Sequence, residues 1–186
     1  MALGIAALAS GSVPSPFVEG PFPSMTGGFG EQSCHHCHFD NPIGDPMGRL
    51  IVSGVPGAYT AGSEFVLKIA LKRPGLSRGG FQIAARFASG QGAGAQAGRL
   101  ASADGRVQIA HDPDHPSIDY AQHTAAGTRA AAEGEMVWTV RWIAPAPAGD
   151  PVVFHVAANA SNDDSSPLGD FIYLGEARSS PAPAAR

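Results

Sequence analysis

The densest chemistry in the chain sits in five consecutive residues, Cys34-His35-His36-Cys37-His38. They read C-x-x-C-H, the attachment signature of c-type haem. One helical turn through this segment puts Cys34 and Cys37 on the same side, with His38, four residues after Cys34, on that side as well. The two thiols can then add to the two haem vinyl groups as thioethers, and the imidazole of His38 is left as proximal ligand to the iron. On this reading the cofactor is one covalent haem c, and His35 and His36 point away from the metal. The chain holds no other cysteine. Zinc is the rival, because two Cys and two or three His could supply four ligands. A usual zinc site takes its second pair from a separate knuckle, and none is visible. A redox disulfide between Cys34 and Cys37 needs a βαβ context, which this sequence lacks.

The elements that must position this motif are strands. At 186 residues, 44% hydrophobic and 15% charged, the chain can bury one core, and its 24 Gly and 16 Pro favour short strands and turns over long helices. Glu64 to Lys72 alternates, with Phe65, Leu67, Ile69 and Leu71 on one face. Phe81, Ile83, Ala85 and Phe87 alternate with outward Gln82 and Arg86. Met136, Trp138, Val140 and Trp142 share another face, and Val152, Phe154 and Val156 a further one. Leu50 to Val55, Leu100, Val107 to Ile109, Ile118 to Tyr120 and Phe171 to Leu174 are shorter strands. Tyr59 to Gly62 and His111 to His115 read as turns. Roughly seven to nine short strands with no helical period predict an all-β fold, an antiparallel β-sandwich of immunoglobulin-like type, with an eight-stranded barrel as the alternative.

The remainder is punctuation. Ala2 to Ala9 resembles the end of a signal-peptide apolar region without its basic flank. Ser12 to Gly30 reads as an extended arm carrying Phe17, Phe22 and Phe29. The Asn41-Pro42 and Asp45-Pro46 steps confine any haem-bearing helix to one or two turns. The predicted organisation is therefore a residual signal peptide or arm over 1–20, a haem attachment segment over 21–48, a sandwich over 49–178 and a disordered tail over 179–186.

Several short motifs in this order are similar to the reelin N-terminal-like (reeler) domain and its bacterial exported relatives, which carry C-x-x-C-H just ahead of the sandwich. They are Gly79-Gly80-Phe81-Gln82-Ile83-Ala84-Ala85, Tyr120-Ala121-Gln122-His123-Thr124, Trp138-Thr139-Val140-Arg141-Trp142, Val153-Phe154-His155-Val156-Ala157-Ala158-Asn159 and Gly169-Asp170-Phe171-Ile172-Tyr173. The resemblance covers about Ser33 to Ala177. It implies an immunoglobulin-like sandwich and secretion, not an activity. It also implies that the His123-Thr124 position can have a structural role, since haem-free reeler domains carry His-Thr or His-Ser there.

An iron held by His38 has a sixth position to fill, and the candidates are Met25, Met47, His111, His115, His123 and His155. His123 is preferred, because a rigid sandwich edge places a ligand better than a loop does. Met47, nine residues after His38, is the alternative and would raise the potential relative to a second imidazole. Asn162, Asp163, Asp164 and Asp170 could hold calcium, although an Asx-turn loop explains them more simply.

A net charge of −4 and a pI near 5.9 leave no basic footprint for nucleic acid. No apolar run reaches transmembrane length, although a membrane- or surface-associated complex stays open. No nucleophile–base or paired-carboxylate spacing stands out, so no catalytic residue is predicted. Peroxidase-like activity would need an open sixth position. The expected function is one-electron transfer by a periplasmic or secreted monohaem protein, with a redox protein or small electron carrier as partner. A secreted recognition or adhesion module with a structural or sensory haem is the second reading.

Overall fold

The period-two runs become paired strands. The computed structural model describes residues 17–130 and 132–183. The Ala2 to Ala9 stretch and the last three residues lie outside them. The strands are β1 (Arg49–Ser53), β2 (Ala58–Tyr59), β3 (Glu64–Lys72), β4 (Arg78–Phe87), β5 (Arg99–Ser102), β6 (Val107–Asp112), β7 (His115–His123), β8 (Glu135–Ile143), β9 (Val152–Ser161) and β10 (Phe171–Pro181). They form two separate sheets, in the orders β1-β3-β8-β5 and β2-β10-β9-β4-β7-β6. The fold is thus an all-β sandwich and not a barrel. Every pairing is antiparallel except the short parallel contact of β2 with β10.

The core lies between the sheets, where the apolar face of β3 and β8 meets that of β4 and β9. Ile69 lies opposite Trp138 in the β3–β8 register, and Leu67 opposite Val140. Trp138 stacks on Phe81 with ring centroids 4.6 Å apart, and Trp142 meets Phe154 edge-on at 4.9 Å. Each indole also places its single donor. Trp138 Nε1 donates to the Gly127 carbonyl and Trp142 Nε1 to that of Ala97, both at 2.9 Å. Large aromatics of this kind contribute most per residue to such a core, and a buried N–H without an acceptor would cost part of that gain.

Four expectations change. Tyr59 is not a turn residue: it is fully buried in β2, edge-on to Trp142 at 5.6 Å, with its hydroxyl donating to the Asp150 carbonyl at 2.9 Å. Ser179 to Pro181 is not tail but the end of β10, where Ser180 pairs with Ala58 and Pro181 with Tyr59. A short parallel contact at the end of the sheet tolerates a proline that lacks an N–H. The haem segment forms only a 3-10 turn over Cys34–His36, shorter than the one or two helical turns expected. Gln82 and Arg86 do leave the sandwich core, but they are buried under the N-terminal arm rather than solvated.

That arm, residues 17–48, lies on the outer face of the six-stranded sheet. Gln82 Oε1 accepts from the Met25 N–H at 2.7 Å, and Gln82 Nε2 donates to the Phe22 carbonyl at 2.8 Å. Arg86 pairs with Glu31, whose carboxylate also accepts from the Tyr120 hydroxyl at 2.6 Å. A sheet face carrying Gln82, Arg86 and Tyr120 would be costly to bury bare. The arm supplies their partners. Among the described residues no helix is long and apolar enough to cross a membrane.

Candidate functional site

Where the arm crosses the end of the six-stranded sheet it encloses a cleft of about 390 Å³, within the roughly 300–1,000 Å³ of small-molecule and cofactor sites. Cys34, Cys37 and His38 line it, together with Met25 from the arm and His123 from β7. The sheet side begins at Gly80, which lies opposite Asn159 in the β4–β9 register. Glycine is needed here for room. A Cβ at position 80 would fall 2.6 Å from His123 Cε1.

The motif turn is built locally. Ser33 caps it through its hydroxyl, which accepts from the His35 N–H at 3.3 Å. The Cys37 and His38 N–H groups both donate to the Cys34 carbonyl, at 3.3 and 3.1 Å. This brings both cysteines and His38 to the cleft, as the spacing predicts. His35 turns aside to the Asn41 carbonyl at 3.0 Å, and His36 is exposed. Burial pushes the Cys34 thiol up to about 12, with the neighbouring Cys37 adding to the rise and a backbone hydrogen bond opposing it.

His38 is held from the sandwich. Its Nδ1 lies 2.8 Å from Asp170 Oδ2 and 3.2 Å from the Pro167 carbonyl, both acceptors, so Nδ1 carries the proton. Nε2 then keeps its lone pair. The Asn159 amide nitrogen lies 3.4 Å from it, and that amide also donates to Asp170 at 3.0 Å. Burial raises the Asp170 pKa, but hydrogen bonds from His38, Asn159 and the Asn162 N–H outweigh it and hold the carboxyl below its ordinary range. Sequence reasoning weighed Asp170 only as a calcium ligand and missed Asn159 as a site residue. Neither has a local signal that ties it to a histidine more than a hundred positions earlier.

His123 is 7% exposed, and both ring nitrogens are engaged. The Phe81 N–H donates to Nδ1 at 3.1 Å, with the Phe81 carbonyl farther off at 3.4 Å. The proton therefore sits on Nε2, which donates to the Phe17 carbonyl at 3.2 Å. Met47 is not brought to the cleft. It is 64% exposed and borders a separate depression with Arg49, Lys72 and Arg73. An Asx turn at Asp45, accepting from the Met47 N–H at 2.9 Å, directs the chain away into β1. His155 is covered by Phe29, edge-on at 5.3 Å, and faces Glu176. His111 contacts Asp119 at 3.0 Å in the β6–β7 hairpin. The Asn162 to Asp164 loop is knit by its own Asx contacts, and Asp163 pairs with Arg78. Among the described residues no three His, Cys, Asp or Glu side chains converge to hold a bare metal ion.

The donor set fits haem c. Two thiols and one imidazole line a single cleft, and a carboxylate holds the imidazole Nδ1, as is general for metal-binding histidines. The apolar side chains of Phe17 and Phe22 border the same space.

Fold and cleft together define a reeler-like β-sandwich with a thiol- and imidazole-lined site under its N-terminal arm. The chain is similar to the human F-spondin reeler domain (fragment 1), at 19% identity and TM-score 0.51 over 76% of this chain and 93% of that one. It is also similar to the Reelin-N domain of F-spondin, at 19% identity and TM-score 0.47 over 76% and 91%. No family model matches the chain, and no curated protein matches it.

Proposed function

We propose that this is an exported c-type haem protein that transfers single electrons, with Cys34 and Cys37 as the thioether anchors and His38 as an iron ligand. One observation carries the proposal: both cysteines and His38 line a single cleft, and the Asp170 carboxylate lies 2.8 Å from His38 Nδ1, which leaves Nε2 as the ligating nitrogen. When bound, haem supplies the one-electron iron couple.

The chain's own residues do the rest. Asp170 fixes the His38 tautomer and ring orientation and makes Nε2 a stronger donor. Phe17 and Phe22 would give a bound haem an apolar border, and burial of this kind tunes a redox potential. Arg78, paired with Asp163, brings a guanidinium to the cleft wall. Phe22 stays 61% exposed at the cleft, so a redox protein or small electron carrier meets an apolar edge. Covalent haem c is assembled outside the bacterial cytoplasm, so the proposal entails a periplasmic or secreted protein.

The test is a pyridine haemochrome spectrum and a denaturing mass on protein matured through an export signal. The expected mass exceeds the peptide by one haem, and Cys34→Ser or Cys37→Ser abolishes or destabilises attachment. A peptide-only mass with bound zinc would replace this reading with the zinc one.

A further inference from the structure

We infer that the second axial ligand of the iron is the thioether of Met25, so that the site pairs His38 with a methionine placed ahead of the attachment motif. The inference rests on the haem reading above and specifies its coordination.

Of the six side chains the sequence offers for this position, only Met25 and His123 line the cleft with Cys34, Cys37 and His38. They differ in chemistry. A neutral histidine that ligates through Nε2 carries its proton on Nδ1 and needs an acceptor there. His38 meets that condition. His123 has the reverse arrangement, because its Nδ1 faces the Phe81 N–H at 3.1 Å and its Nε2–H is spent on the Phe17 carbonyl at 3.2 Å. To ligate, it would have to give up the Phe17 bond and move its proton to Nδ1, where the Phe81 N–H at 3.1 Å lies nearer than the Phe81 carbonyl at 3.4 Å. The cost of a buried donor facing a donor makes this unfavourable.

A thioether has no proton to move and no hydrogen bond to lose. Met25 is also held in place. Thr26 and Ser33 form an antiparallel bridge, and the Gly27 N–H donates to the Gln32 carbonyl at 2.8 Å. The next facing positions at the open end of this hairpin are Met25 and Cys34. One thioether anchor and the proposed sulfur ligand thus each adjoin one residue of the same isolated bridge. The Met25 N–H is fixed in turn on Gln82, a residue with no exposed surface. Thus a sheet residue sets the height of the methionine backbone over the cleft.

The experiment is optical and NMR spectroscopy of the haem-loaded protein. The ferric wild type should show the far-red sulfur-to-iron band, and the ferrous form a methionine methyl resonance shifted strongly upfield. Met25→Leu should lose both signals while haem stays covalently attached, and Met25→His should give a low-spin bis-imidazole spectrum. Met47→Leu should keep both signals. A wild-type bis-imidazole spectrum that is lost in His123→Asn, or a five-coordinate wild type, would overturn the assignment and leave the haem reading standing. A protein that carries no covalent haem would overturn both.

Discussion

His38 Nδ1 and Asp170 Oδ2 lie 2.8 Å apart, and the carboxylate side chain is only 1% exposed. A half-exposed motif on the arm is thereby oriented by a buried acid of the sandwich. Asp170→Asn keeps the shape and removes the charge. In the loaded protein it should weaken the His38–iron bond by ~10–100-fold, the usual cost of a lost outer partner. Acid titration of the low-spin spectrum reads this directly, with the midpoint for loss of His38 moving up by roughly one to two pH units. An unchanged midpoint would mean that Asp170 only supports the loop.

The pH dependence of the haem-free chain has a second source. Burial holds the His123 ring below the ordinary imidazole range, outweighing the Phe17 and Phe81 carbonyls and Glu19, which favour the charged form. Below about pH 6.5 the unfolded chain takes up a proton at this ring that the folded chain refuses. The unfolded state then binds more protons. Stability is therefore complete above about pH 6.5 and falls as pH drops through the folded pKa. Urea midpoints at about pH 7.5 and pH 5 should differ in the double Cys→Ser chain, and His123→Gln should shrink that difference. Equal pH dependence in both proteins would rule this out.

The two thiols should differ in reactivity before any cofactor is attached. Burial pushes the Cys34 thiol up to about 12, so it carries little thiolate at about pH 8. Cys37 is exposed. Because the thiolate is the reacting form, iodoacetamide should modify Cys37 first, by ~100-fold or more. Peptide mapping after brief alkylation gives the ratio, and a ratio near one would refute the burial of Cys34.

Removing Glu31 tests how the arm is fastened. Glu31→Ala leaves Arg86 buried with only the Tyr120 hydroxyl, and an uncompensated buried charge costs ~3–5 kcal/mol. Because Glu31 belongs to the arm, the chain can avoid part of that cost by releasing it. Limited proteolysis should then cut between about residues 17 and 33 while β3 and β8 stay protected. Protection of the arm equal to wild type would contradict its dependence on this pair.

The sandwich was legible because its strands obey a simple period. Leu67, Ile69 and Leu71, or Trp138 and Trp142, could face only one way once one sheet face was buried. Tyr59 was misread because Gly57 and Gly62 flank it, and a two-residue strand has too few positions to show alternation. Gln82 and Arg86 were assigned outward correctly, but a polar residue facing out of a sandwich looks the same whether water or an arm covers it. The motif itself was plain in Cys34, Cys37 and His38. Its supports, Asp170 and Asn159, come from the far end of the chain, and pairing across that distance leaves no local pattern. The preference for His123 rested on its place at a strand end. Which nitrogen holds the proton depends on Phe81 and Phe17, and no sequence pattern carries that.

Besides the Glu31–Arg86 and His38–Asp170 pairs, the arm meets the sandwich mostly through single hydrogen bonds between side chain and main chain: Gln82 to Met25 and Phe22, Asp40 to the Gly169 N–H, Asn41 to the Asp170 carbonyl. None of these is a rung of a ladder, so each breaks without fraying a strand. In hydrogen-exchange terms residues 17–48 form an opening unit of their own, with a lower free energy than unfolding of either sheet. On the haem proposal, a rigid planar ring would then have a way in that leaves the core closed. The chain can fold first and be loaded afterwards, with the opening of the arm setting the pace.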